Sequence, residues 1–141
     1  MSILQRQIPD SRVIDLFSGS GALGLEALSR GASSADFVEK DGRIFRALQK
    51  NVEILGAGDA ARLHRTDALR FAGELAPRAY DIAFADPPYA GPGAALLATR
   101  WLSTPFASIL TIEHSPATEM PGNPETRRYG STAITIYRSE D

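Results

Sequence analysis

The chain has 141 residues, 43% apolar and 23% charged, the size and composition of one globular domain and far from the charge-rich, apolar-poor corner where chains stay disordered. Against 17 Asp and Glu stand 15 Lys and Arg, so no overall cationic field marks a nucleic-acid binder, although Lys40 and Lys50 are the only lysines and arginine suits phosphate and base recognition. Cysteine is absent, which excludes disulfides, thiolate zinc sites and cysteine nucleophiles, and no apolar run approaches the ~20 residues of a membrane helix. A single domain over residues 1–141 is expected, cytoplasmic, monomeric, with neither signal nor membrane span.

In chain order, β-type runs alternate with helical segments, the pattern of a mostly parallel sheet covered by helices on both faces. Arg12 to Phe17 reads as a first buried strand, ended by the glycine-rich stretch Ser18 to Gly24; a helix follows through Leu28 and stops at Gly31. Ala35 to Glu39 is a second strand. Asp41 then caps a helix whose apolar positions Ile44, Leu48, Val52 and Leu55 define its buried stripe, with Gly56 as its stop. Arg62 to Arg65 is a weaker third strand, followed by a short helix from Ala68 towards Leu75. Tyr80 to Ala85 is a strong fourth strand running into Asp86-Pro87-Pro88-Tyr89, where prolines end the ladder. Ala94 to Leu102 is helical and Ala107 to Glu113 is a fifth strand. After a loop from Ser115 to Pro124, Thr126 to Arg138 flanks Gly130-Ser131 as an antiparallel edge hairpin.

Gly19-Ser20-Gly21-Ala22-Leu23-Gly24 fits G-x-G-x-x-G between a strand and a helix, and Glu39 closes the next strand 15 residues on, where a carboxylate can accept both hydroxyls of a ribose. The plain alternative is a tight turn. In an open parallel sheet, ligands bind beyond the carboxyl ends of the strands, so Asp15, Glu39, Asp67 and Asp86 are expected on one rim. A dinucleotide oxidoreductase and an S-adenosylmethionine enzyme both fit this unit. Asp15 tilts the choice towards the second, because an acid inside the first strand disfavours a pyrophosphate and suits an ammonium.

Asp86-Pro87-Pro88-Tyr89 forms a stiff corner. An aromatic amine becomes nucleophilic only when acceptors turn its lone pair out of the ring plane. The Asp86 carboxylate and Pro87 carbonyl can act as those acceptors, and Tyr89 offers a stacking face worth roughly 1–3 kcal/mol per base. Read alone, the corner is a surface turn. His64 reads as structural. His114 lies near the rim, and neither histidine has the spacing of a metal site.

The segments Val13 to Ala32, Phe37 to Asp41, Asn51, Asp67-Ala68, Asp86 to Tyr89 and Arg128-Tyr129-Gly130 together resemble the RsmD-type 16S ribosomal RNA guanine-N2 methyltransferases over about Ser2 to Arg138. The resemblance implies an α/β fold of the class I, Rossmann-like type: a mostly parallel seven-stranded sheet in three layers with a C-terminal antiparallel hairpin. It implies S-adenosylmethionine as cofactor and ribosomal RNA or the small-subunit particle as partner, with no metal. Asp15, Gly19 and Gly21 are implied at the methionine moiety, Glu39 at the ribose and Asp67 with Ala68 at the adenine, with Phe17, Lys40 and Asp86 also bordering the cofactor. Asp86, Pro87, Pro88 and Tyr89 match the catalytic corner. That corner also resembles adenine-N6 methyltransferases, and a silent cofactor-binding relative stays open as the rival reading. The family carries a basic segment before the first strand, and this chain starts within the helix that follows it, at Ser2-Ile3-Leu4. Met1 is accordingly expected to be internal to a longer natural chain.

Overall fold

The computed structural model describes residues 4–140; Met1, Ser2 and Ile3, where the resemblance places a helix end, lie outside the described residues, as does Asp141. Among the described residues seven strands and four helices follow one another, alternating as far as β5: β1 (Arg12–Leu16), α1 (Ala22–Ser29), β2 (Ser34–Val38), α2 (Gly42–Ile54), β3 (Ala61–His64), α3 (Ala68–Gly73), β4 (Tyr80–Ala85), α4 (Gly93–Ser103), β5 (Ala107–His114), β6 (Glu125–Tyr129) and β7 (Thr132–Arg138). The sheet runs β3-β2-β1-β4-β5-β7-β6, parallel from β3 to β5, with β7 inserted antiparallel between β5 and β6. Gly130, at φ 60°, is the first central residue of the two-residue β6–β7 turn, where a hairpin needs the left-handed region.

Successive strand residues face opposite layers. Val13, Phe37, Ile82 and Phe84 pack with Leu25, Leu48 and Val52 of α1 and α2, and Leu4 and Ile8 join them. Ile14, Leu16, Ala83, Leu110 and Ile112 pack on the opposite face with Leu97, Ala98 and Trp101 of α4. Three layers result, as the alternation of strands and helices implies. Chain order reverses between β1 and β4, which lie side by side while β2 and β5 flank them outward. At such a switch point the connecting loops diverge and leave a crevice beyond the carboxyl ends of the strands.

The apolar stripe of α2 is narrower than its periodicity predicts. Leu48 and Val52 are buried, whereas Ile44 is 41% and Leu55 65% exposed. Leu55 is the C-cap, past the last turn that rests on the sheet, and Ile44 lies in the first turn, where the helix overhangs the crevice.

Candidate functional site

The crevice is a cavity of about 550 Å³, within the range of small-molecule sites. On one side the chain leaves β1 through Phe17, whose φ of 58° is unusual for a residue with a Cβ. Ser18 then ties β1 to β2: its N–H donates to the Val38 carbonyl (2.9 Å), its hydroxyl donates to the Asp15 carbonyl, and the Val38 N–H donates to the Ser18 oxygen (2.9 Å). Gly19 follows at φ 56° and Gly21 at φ 88°, both in the region that favours glycine. Asn51 of α2 holds this loop from outside by donating to the Ser20 carbonyl at 2.9 Å.

α1 has no side-chain cap of its own. Asp15 supplies one from the neighbouring strand, its Oδ2 accepting from the Gly24 N–H at 3.0 Å. The Asp15 carboxyl is 1% exposed yet borders the cavity. Burial pushes its pKa up to about 8 against the opposing effect of the Gly24 hydrogen bond, and the charges of Asp86 and Glu39 push it further the same way. A cation entering the cavity would reverse that balance.

Glu39, just past β2, is held by two backbone donors: Gly19 N–H to Oε1 at 2.9 Å and Asp41 N–H to Oε2 at 3.0 Å. Each carboxylate oxygen keeps a further lone pair for a hydroxyl. Asp41 caps α2 by accepting from the Arg43 and Ile44 N–H groups (2.9 and 3.0 Å), and Asp67 caps α3 by accepting from Arg70 N–H (2.9 Å).

The opposite wall is Asp86-Pro87-Pro88-Tyr89. Pro87 is buried beneath Gly93 at the start of α4, where an added Cβ would come within 3.2 Å of the Pro87 ring. The Tyr89 hydroxyl shares a hydrogen bond with Thr132 Oγ1 of β7 at 2.8 Å, which fixes the ring across the sheet while 45% of the residue stays exposed. The Asp86 pKa is pushed up to about 6, first by burial and then by the Glu113 carboxyl beside it.

Asp15, Phe17, Gly19, Glu39, Lys40, Asp67, Ala68, Asp86, Pro87, Pro88 and Tyr89 all border this one cavity. Gly21 does not. It is buried beside Leu25, Leu48 and Phe37, and Gly24 likewise abuts the Phe37 ring, so those two glycines let α1 and its loop approach the sheet. Sequence reasoning passed over Ser18, Leu23, Val38 and Ile44, which also border the cavity, and Glu113, which lies just past it. Signals for them existed: Val38 and Glu113 occupy strand ends equivalent to those of Asp86 and Glu39, and Ile44 opens the helix capped by Asp41.

His114 is off the cavity and internally satisfied. Its Nδ1–H donates to the Ser115 carbonyl (2.8 Å), its Nε2 accepts from the Thr135 hydroxyl (2.6 Å), and Thr126 donates in turn to Thr135 (2.8 Å). His64 is structural, as its strand position suggests: it meets Asp36 Oδ2 at 3.1 Å, an oxygen that also accepts from the Tyr80 hydroxyl. Among the described residues no cluster of three or more His, Cys, Asp or Glu could hold a metal, and no helix is long and apolar enough to cross a membrane.

Residues 1–138 match the family described as Conserved hypothetical protein 95. The chain belongs to this family. It is the RsmD family to which the motifs point, and its curated relatives carry corresponding names. This member is 43% identical over 82 residues, 58% of the chain, to ribosomal RNA small subunit methyltransferase D of Escherichia coli (strain K12). The matched stretch spans 40% of that relative, less than half its length. Identity to the Haemophilus influenzae protein of the same name is 30% over 142 residues, covering 96% of this chain and 74% of the relative. The crystal structure of an RNA methyltransferase from Salinibacter ruber in complex with S-adenosyl-L-homocysteine has a TM-score of 0.73 over 99% of this chain and 92% of that chain; at 14% identity the likeness is one of fold. The family member described here thus has the class I, Rossmann-like fold of S-adenosylmethionine-dependent methyltransferases, with the expected C-terminal hairpin.

Proposed function

We propose that this chain methylates the exocyclic N2 amine of a guanine in small-subunit ribosomal RNA, with S-adenosylmethionine as methyl donor. One observation carries the reading: the stiff acceptor corner at Asp86–Tyr89 walls the same cavity as the glycine loop and the carboxylates of Asp15, Glu39 and Asp67. The residues suit the cofactor. A buried carboxyl raised to about 8 calls for a cationic partner, and Glu39 is immobilised with spare acceptor capacity for a ribose.

When bound, S-adenosylmethionine supplies a sulfonium methyl whose bond to sulfur breaks, the electron pair returning to sulfur, as the N–C bond forms. The protein's part is orientation. Asp15 pairs with the ammonium, Glu39 takes the ribose hydroxyls, and Asp67 with the Ala68 backbone faces the adenine. Tyr89 stacks the flipped-out base, a geometry that a base inside a duplex cannot reach. Asp86 and the Pro87 carbonyl would grip the amine hydrogens and turn the nitrogen lone pair towards the cavity that holds the methyl donor. Above pH 6 Asp86 is ionised, as an acceptor must be, and the surplus proton leaves past its exposed edge after transfer.

Calorimetry with S-adenosylhomocysteine, combined with labelled methyl transfer to small-subunit particles and mapping of the product nucleotide, tests this. Methyl on a guanine N2 is expected. Methyl on an adenine N6, or binding without transfer, would replace the proposal by the adenine-specific or silent reading.

A further inference from the structure

We infer that Glu113 is the residue that selects the base: it accepts the N1–H of the target guanine while Asp86 holds the neighbouring N2 amine. The inference rests on the methyl-transfer reading above and adds a residue that reading does not use.

Three observations place Glu113. β4 and β5 pair in parallel register with Ala85 beside Ile112, so one step further the Asp86 and Glu113 positions lie side by side, and their carboxyls interact. Glu113 is partly exposed and is not among the residues bordering the cofactor cavity, whose wall stops at Asp86 and Tyr89. Because β5 lies on the side of β4 away from β1, Glu113 sits beyond Asp86 as seen from the glycine loop, on the side from which an acceptor amine would approach a methyl held in the cavity. The ring of Tyr89 reaches towards the same side, tethered to Thr132 of β7, and Glu113 itself pairs with Ile134 on that strand.

The chemistry of the base edge then decides between nucleobases. Guanine presents two donors in a row, N1–H and the N2 amine. Adenine and cytosine present an amine beside a ring nitrogen with a lone pair. Two adjacent carboxylates are acceptors only. They match the guanine edge, and they set a carboxylate against a lone pair for either alternative. Sites built to hydrogen-bond a group reject analogues lacking it by about 10⁴–10⁵-fold when the polar atoms left unpaired are buried. Asp86 alone grips an amine and cannot make this distinction; the neighbouring Glu113 can.

The test uses the full-length protein and a synthetic hairpin whose sequence comes from the nucleotide that the wild type methylates in small-subunit RNA. The hairpin carries either guanine or 2-aminopurine at that position. The analogue keeps the amine at C2 but has a lone pair at N1. Wild type is expected to prefer guanine by at least about 100-fold in kcat/KM. Glu113→Gln, whose amide can turn its NH₂ towards N1, is expected to cut the preference below about tenfold. Glu113→Asp, which keeps a carboxylate, should retain most of it. S-adenosylhomocysteine affinity, unchanged in both variants, shows that the fold and cofactor site are intact. An unaltered guanine preference in Glu113→Gln overturns the inference and leaves the methyl-transfer reading standing. Wild type that methylates no guanine overturns both.

Discussion

Replacing Asp15 by Asn tests whether the buried carboxyl is kept at the expense of stability. The exchange preserves shape, and the amide oxygen can still accept from Gly24 N–H, so α1 keeps its cap. A carboxyl that titrates near 3.9 in the unfolded chain and about 8 in the folded one is harmless below the lower value, and stability is lost progressively as pH rises towards the upper. Each pH unit in that window costs about 1.4 kcal/mol. The Asp15 penalty is therefore about 1.5 kcal/mol at pH 5 and about 4 kcal/mol at pH 7, and the Asn variant escapes both. Urea denaturation of ligand-free wild type and Asp15→Asn at pH 5, 6 and 7 should show the variant more stable, by a margin that widens with pH. A margin that stays flat across those pH values would refute the reasoning, because it would mean that Asp15 is already ionised in the folded protein.

Four further outcomes follow from the site. Asp86→Ala should lower methyl transfer by at least about 10²-fold, with S-adenosylhomocysteine affinity in calorimetry within a few-fold of wild type, since the residue meets the acceptor amine. In wild type saturated with S-adenosylmethionine, kcat/KM for the RNA should fall as pH drops through about 6, because protonation of Asp86 removes the acceptor; a profile flat to pH 5 counts against that role. Glu39→Ala should weaken S-adenosylhomocysteine binding by roughly 10–100-fold, the loss of hydrogen bonds to a charged group, whereas unchanged affinity would assign the ribose to another residue. Gly24→Ala pushes a Cβ into the Phe37 ring and should cost about 1–3 kcal/mol in urea denaturation, independent of ligand.

Much of this was legible because the informative residues are local. Strand β4 is bounded by prolines and occupies the very residues the pattern assigns, while α1 and α2 end near the glycines that mark them, Gly31 and Gly56, both with positive φ. The rim of acids was legible too, since a parallel sheet sends each strand's C-terminal residue to the same edge. Long-range pairing was not. That Asp86 faces Glu113 and that Ser18 stitches β1 to β2 depend on register between strands, which no single segment encodes, and the cap that Asp15 gives to Gly24 N–H depends on how the loop between them folds back. The glycine motif shows the same limit. Of its three glycines only Gly19 borders the cavity, because the spacing reports where backbone must pass closely and not what it passes.

The charges of Asp86 and Glu39 both add to the effect of burial in raising the pKa of Asp15. A positively charged ligand group is then the natural counter-ion, and its binding is linked to a proton. At pH 7 a carboxyl with a pKa of about 8 is about nine-tenths protonated, so seating an ammonium beside it must expel about 0.9 proton. S-adenosylhomocysteine, which has the ammonium but no sulfonium, isolates this effect. Its affinity should rise close to tenfold per pH unit from about 6 to about 8 and level off above, and its calorimetric enthalpy at pH 7 should change with the ionisation enthalpy of the buffer. In Asp15→Asn both dependences should vanish together. If the slope persists in that variant, the proton belongs to a different group and the cation is held elsewhere.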